Sequence, residues 1–294
     1  MYELIKLNEN DYYIDSPSKI GIVKLNAADV VFIDSGNNRD AGKKALRIIE
    51  EQGWTLKAIY NTHSHADHIG GNRYLQEKTG CRIFARGAEC AAVNYPVSEP
   101  ALLYGGFPYK TIKHKFLMAE KSFCEPLTPD VLPAGLEMID LSGHCYEMVG
   151  YKTKNGTAFI GDAVINEYIY EKYGISYFWD ITKYLESLER LKSVDAGIFI
   201  TSHLENYTDI TDIADYNKKY IADVESTLLS FCEKPVSFEK LMQQMFTKYN
   251  MTMTAEQNIL IGSTLRSYIA KCLDDGKLKY FSSENIMYFE TTSK

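Results

Sequence analysis

The run Thr62-His63-Ser64-His65-Ala66-Asp67-His68-Ile69-Gly70-Gly71 gathers three imidazoles and a carboxylate directly after the apolar stretch Leu56 to Tyr60. In extended backbone, side chains two residues apart share a face, so His63, His65 and Asp67 can project together while His68 opens the next helix. Imidazole nitrogens and carboxylate oxygens in one turn suit borderline divalent metals such as zinc. Three more polar residues stand in similar places. His144 follows the run Leu136 to Leu141, Asp162 follows Thr157 to Ile160 and Gly161, and His203 follows Gly197 to Thr201. Each lies just beyond the carboxyl end of an expected strand. If those ends share one edge of the sheets, the side chains converge there. Five of the chain's six histidines are then accounted for, and His114, between Lys113 and Lys115, reads as a solvated loop residue.

The elements that must position these groups follow from periodicity. Apolar or alternating runs at 12–14, 20–25, 30–33, 56–60, 82–85, 136–141, 149–153, 157–160 and 197–201 read as strands. Helical spacing marks 39–52, 69–78 and 182–192. So many neighbouring strands disfavour a doubly wound parallel sheet and favour two face-to-face sheets with helices outside, an α/β four-layer order. Between residues 95 and 133, prolines and glycines break every long element. A stretch this long, rich in apolar side chains, is expected to form a loop-rich lid. After about residue 212 the texture turns helical, over 213–232, 237–249 and 254–274, and a hairpin of 279–281 with 286–289 closes the chain. Residues 1–212 are therefore expected as a catalytic domain and 213–294 as a small helical, winged-helix-like module.

The ordered set H-x-H-x-D-H, Gly-His, Gly-Asp and a late His strongly resembles the metallo-β-lactamase superfamily of hydrolases over roughly residues 1–212. The resemblance implies an αββα sandwich. It also implies a two-metal centre: His63, His65 and His144 on one divalent ion, Asp67, His68 and His203 on the other, and Asp162 bridging both. Asp34, which ends the run Val30 to Ile33, is similar to a buried family Asp that holds the metal loop from behind. Two ions about 3.5 to 4 Å apart lower the pKa of a shared water towards about 7, and Asp67 can orient the resulting nucleophile and pass a proton to the leaving group. Zinc is the expected metal, and iron or manganese would suit the same donors. Metallo-β-lactamases commonly carry Cys where Asp162 stands, and the stretch around Thr62 to Gly71 is most similar to glyoxalase II. However, Cys145-Tyr146-Glu147-Met148 replaces the turn that many relatives have after the Gly-His.

The leading expectation is thus a zinc hydrolase of a small ester, thioester or lactone. Two other readings use the same ligands: an endoribonuclease or phosphodiesterase that grips a strand with its C-terminal module, and an iron oxygenase of the persulfide dioxygenase kind. Tyr104 and Phe107 from the lid, with Tyr168, Tyr170 and Tyr173 after Asp162, are candidate walls of the substrate pocket. Composition narrows the partners. The 294 residues carry 32 Lys plus Arg against 39 Asp plus Glu, a net charge of −7, which disfavours coating nucleic acid or anionic membrane. The third C-terminal helix has no basic stripe, so a structural role, a homodimer contact or a wall of the cleft is preferred for that module. No long apolar run or basic leader is present, and six scattered cysteines read as reduced thiols of a cytoplasmic protein.

Overall fold

The computed structural model describes residues 2–292. Met1, Ser293 and Lys294, which the sequence reading counts into the ends of its two domains, lie outside the described residues. The first sheet holds seven strands in chain order: β1 (Glu3–Lys6), β2 (Asp11–Asp15), β3 (Ile20–Lys24), β4 (Asp29–Ile33), β5 (Thr55–Tyr60), β6 (Arg82–Ala85) and β7 (Glu125–Pro126). It is antiparallel up to β4 and parallel from there on. Parallel neighbours need crossovers. These are α1 (Arg39–Glu51), then α2 (Ala66–Ile69) with α3 (Asn72–Thr79), then α4 (Gly87–Asn94) with α5 (Ser98–Tyr104). The second sheet runs β11 (Ile198–Thr201), β10 (Thr157–Gly161), β9 (Val149–Thr153), β8 (Leu136–Asp140), with α6 (Glu167–Tyr173) and α7 (Ile181–Lys192) between β10 and its parallel partner β11.

The two sheets face each other. Val31, Ile33, Tyr60 and Phe84 of the first pack against Val149, Tyr151, Phe159 and Ile200 of the second. On the far side of the first sheet, Phe32, Ile59 and Ile83 bury against Ala45 and Ile49 of α1 and Leu75 of α3. On the far side of the second, Ala158, Ile160 and Phe199 bury against Tyr184, Leu188 and Leu191 of α7. Four layers result, in the αββα order the sequence leads one to expect. Central strands with both faces covered read as continuous apolar runs, as in β10, where every residue is buried.

The C-terminal part comprises α8 (Thr211–Phe231), β12 (Val236–Ser237), α9 (Phe238–Lys248), α10 (Ala255–Asp274), β13 (Leu278–Ser283) and β14 (Ile286–Thr291), the strands ordered β12-β14-β13. The hairpin turn places Glu284 and Asn285 at φ of 52° and 62°, the paired left-handed geometry of a two-residue turn. The hydrophobic cluster under α7 continues across residue 212 into Ile221 and Val224 of α8 and Leu265 and Tyr268 of α10. No helix among the described residues is long and apolar enough to cross a membrane.

The structure corrects the expected elements in two places. The helix expected over 69–78 is two helices, because the chain turns at Gly70-Gly71. A Cβ on Gly71 would lie 2.3 Å from the Ser35 carbonyl oxygen, so this close approach admits glycine alone. The lid is more ordered than a loop. It contains α5 and short turns at Lys110–Ile112 and Pro129–Val131, and Pro100 sits in the first turn of α5, where a missing backbone N–H costs little. Short elements with weak periodicity, β1, β7, β12, α4 and α6, are formed by packing against their neighbours.

Candidate metal centre

The carboxyl ends of β4, β5, β8, β10 and β11 open on one edge of the sandwich, and the loops beyond them carry Asp34, His63 to His68, His144, Asp162 and His203. His63 and His65 lie in the turn after β5, with His65 at the N-cap of α2 and Asp67 in its first turn. The structure brings all seven expected ligands together. His63 Nε2 and His144 Nε2 lie 3.0 and 3.1 Å from His65 Nδ1. In the second group, His203 Nε2 is 3.1 Å from Asp67 Oδ2, and His68 Nε2 is 3.9 Å from Asp67 Oδ1. Between the groups stands Asp162, whose Oδ2 is 3.4, 3.5 and 3.7 Å from His68, His203 and His144. Nitrogen ligands of a tetrahedral zinc, at about 2.0–2.1 Å from the ion, sit about 3.3 Å from each other, so these spacings fit a cation within each group.

The outward ring nitrogens show which lone pairs face inward. Asp34 Oδ2 accepts from Thr62 Oγ1 (2.7 Å) and lies 2.9 Å from His68 Nδ1. With its own proton committed to Asp34, Thr62 Oγ1 accepts from His63 Nδ1 at 2.9 Å. His203 Nδ1 donates to the Pro17 carbonyl at 2.8 Å. These bonds place the Nε2 of all three rings towards the centre, and His68 Nε2 is fully buried with no hydrogen-bond partner. Burial lowers the His63 and His144 pKa values and takes His65 to about 3, so these three rings are neutral and suited to ligation. Burial acts the same way on His68 and His203, yet Asp162 and Asp67 overcome it and raise both, His203 to about 10. The same two imidazoliums hold the Asp67 and Asp162 carboxyls below their ordinary range against the cost of burial. In the metal-free chain two protons therefore occupy charge positions that a divalent cation can fill. The buried orphan nitrogen, the neutral rings and the intervening carboxylate fit the divalent pair that the ligand pattern implies.

Asp34 is held at φ 62°, a left-handed conformation that Asp tolerates, and its other oxygen accepts from the Thr62 backbone N–H at 2.7 Å. It thus anchors the backbone before His63 and one ring beyond it. Gly143, at φ 126°, admits the His144 loop against α7, since a Cβ there would lie 2.2 Å from the Tyr184 nitrogen.

Two buried carboxylates have no counterpart in the sequence reading. Glu89 of α4 accepts from the backbone N–H and hydroxyl of Ser64 (2.9 and 2.6 Å) and from the backbone N–H of Glu147 (2.9 Å), tying the two histidine loops together. Glu99 of α5 places Oε1 3.4 Å from His65 Nε2 while its Oε2 has no partner. Burial, Glu89 and Asp67 raise its pKa to about 8, so it is mostly protonated at neutral pH, and a cation held by His65 would favour its ionised form. Helix α4 has little amphipathic signal and α5 is seven residues long, so only a Glu within an otherwise apolar turn could have marked either residue. Glu99→Gln, which mimics the neutral acid, is expected to leave the metal-free melting temperature unchanged and to weaken metal binding about tenfold or more. Equal metal affinity in a competition titration would remove Glu99 from the centre.

Of the expected pocket residues, Tyr168 and Tyr173 line the cleft above the ligands. Tyr104 and Phe107 do not. They point to solvent, 49% and 77% exposed, because α5 turns its other side inward through Glu99 and Leu103. Tyr170 does not line the cleft either: it is half-buried and packs edge-on against Tyr220 and Tyr249 at the margin of the core. Tyr177 takes the place nearest the ligands, its ring centre 5.4 and 5.9 Å from those of His65 and His144. His114 is not a free loop residue, since its Nε2 lies 3.3 Å from Glu256 of α10. Cys145, beside His144, is fully buried with Sγ 3.4 Å from Glu89.

A two-sheet sandwich with histidines and aspartates on one loop edge defines a metallohydrolase-type scaffold. The chain belongs to the metallo-beta-lactamase superfamily, whose family description matches residues 15–203. A hydroxyacylglutathione hydrolase of Erythrobacter litoralis is 30% identical over 124 residues, covering 42% of this chain and 40% of that protein. Its counterpart in Brucella ovis is 47% identical over 45 residues, 15% of this chain and 18% of that one. The chain thus spans well under half the length of these curated relatives. A metallo-beta-lactamase family protein from Thermus thermophilus superposes with a TM-score of 0.74 at 18% identity, over 98% of this chain and 100% of that one. A beta-lactamase domain protein from Burkholderia ambifaria gives 0.73 at 14% identity, over 99% and 94%. At these identities the likeness establishes the fold, including its C-terminal part.

Proposed function

We propose that the protein is a metal-dependent hydrolase of a small ester, thioester or lactone, with two divalent cations, zinc first among them, at this centre. The observation that carries the reading is the convergence of imidazole nitrogens from His63, His65, His144, His68 and His203 on either side of the Asp162 carboxylate. His63, His65 and His144 would hold one cation, Asp67, His68 and His203 the other, and Asp162 both. A bound pair supplies Lewis acidity at the substrate oxygen and an acidified water. The chain's own groups do the rest. Asp34, Thr62 and Pro17 fix ring orientation, and Tyr177 shields His65 and His144 from water on one side. Asp67 lines the cleft and is the group able to take up a proton and return it to the leaving atom.

The partial likeness to hydroxyacylglutathione hydrolases supports a thioester within this class. The three helices and terminal hairpin of the C-terminal part keep strand cleavage as the second reading. Against it, α10 buries Leu265, Tyr268 and Cys272 in the core and turns Leu260 and Ile261 to the cleft, which suits a wall better than a groove-reading helix.

The test is chelation followed by titration with zinc, iron or manganese, assayed on p-nitrophenyl esters, thioesters, lactones, bis-p-nitrophenyl phosphate and RNA. Stripped protein is expected to be inactive, to regain carbonyl-ester or thioester hydrolysis as about two equivalents of metal bind, and to release protons at pH 7 as His68 and His203 become ligands. Because those protons compete with the cation, apparent affinity should rise with pH. Turnover of RNA alone, or of ester by stripped protein, overturns the reading.

A further inference from the structure

The cleft over the metal ligands has a volume of about 740 Å³, within the roughly 300–1,000 Å³ usual for small-molecule sites. Three distant parts of the chain wall it: Lys115 and Phe116 of the lid, α6 with the segment up to Tyr177, and the first turns of α10. Lid and α10 are fastened together, since Leu103, Ile112 and Leu117 form a buried cluster with Ile259, against which Tyr177 and Leu260 pack. The lining is graded. Ile165, Ile175 and Ile261 are buried apolar surface, whereas Lys115 and Lys172 are exposed. Beyond Asp67 and Asp162, no acidic side chain among the described residues lines the cleft. Neither lysine meets a carboxylate among those residues. Lys115 Nζ rests 5.2 Å from the centre of the Phe116 ring, and Lys172 Nζ 5.7 and 4.8 Å from those of Tyr168 and Tyr173. In a chain of net charge −7, two such ammonium groups stand together on one apolar cleft.

Resting on the hydrolase reading, we infer that the substrate is an amphiphilic thioester or ester: an apolar acyl chain lies along Ile165, Ile175, Leu260 and Ile261, and an anionic leaving group meets Lys115 and Lys172. Buried apolar surface rewards each methylene placed on it, so chain length is read as specificity. Exposed lysines at the mouth attract charge without closing the exit of the product. Carboxylate and phosphate share the chemistry these ammonium groups recognise.

The experiment measures kcat/KM of the zinc-loaded full chain on octanoyl and acetyl thioesters of coenzyme A, glutathione and uncharged N-acetylcysteamine. Octanoyl is expected to exceed acetyl by tenfold or more. Both anionic thiols should exceed the neutral one at low salt and lose that advantage as salt rises. Preference for coenzyme A over glutathione assigns the anion as phosphate, and the reverse as carboxylate. The Lys115→Ala, Lys172→Ala double variant should lower turnover of the coenzyme A thioester at least tenfold more than that of the neutral one, and Leu260→Asp should lower octanoyl more than acetyl turnover. Hydrolysis indifferent to chain length or to charge overturns this inference and leaves the hydrolase reading intact. Absence of hydrolysis of every thioester and of p-nitrophenyl octanoate overturns this inference, and absence of lactone hydrolysis as well overturns the hydrolase reading.

Discussion

Asp162→Ala is expected to lower kcat/KM by at least about 10³-fold, equivalent to about 4 kcal/mol of transition-state stabilisation, and to release bound metal. The size follows from position. One oxygen, Oδ2, stands within 3.4 to 3.7 Å of His68, His203 and His144, so a single truncation removes a donor from both halves of the centre. The same carboxylate raises the pKa values of His68 and His203, so the metal-free variant should also show lower histidine pKa values by NMR. His65→Ala is expected to share the loss of activity while sparing those two rings, because His65 Nδ1 meets only His63 and His144. Full activity with unchanged metal content in both variants would sink the ligand assignment.

Asp34→Ala is expected to destabilise the fold by about 3–4 kcal/mol and to abolish metal binding. Its carboxylate is almost completely buried and accepts from the Thr62 N–H, the Thr62 hydroxyl and His68 Nδ1. Hydrogen bonds to a charged acceptor contribute about 1.5–3 kcal/mol each, and removing the acceptor leaves buried donors unpaired. Alanine also tolerates φ 62° less well than Asp, at about 1 kcal/mol or more. Asp34→Asn separates the two roles. It keeps the left-handed backbone and one acceptor for Thr62 but turns an amide towards His68, so stability should recover in part while metal affinity stays about 10–100-fold down. Denaturant melts and metal titrations of both variants check this. An Asn variant with wild-type metal affinity would confine Asp34 to folding.

The candidate metal ligands were legible because their spacing is a local property. Alternation in an extended turn after β5 brings His63 and His65 together, and strand ends before His144, Asp162 and His203 announce a shared edge. Asp34 was legible for the same reason, as the polar stop of an apolar run. The pocket was not. Tyr104, Phe107 and Tyr170 are as aromatic as Tyr168 and Tyr173, and only the direction in which α5 and α6 pack sorts solvent-facing rings from cleft-facing and core ones. Lid helix α5 itself escaped notice, since its proline and short length hide a turn that is held by α10 and not by its own propensity.

By itself the sequence determined the sandwich and the candidate donors gathered at its edge, because strand alternation, buried apolar runs and polar strand ends all act between residues close along the chain. Tertiary structure alone decided that Glu89 ties the two histidine loops, that Glu99 stands behind His65, and that α10 and the lid close an apolar cleft carrying Lys115 and Lys172. Each of those depends on packing between segments remote in sequence, where the partner and not the local pattern sets which side of a helix faces the chemistry.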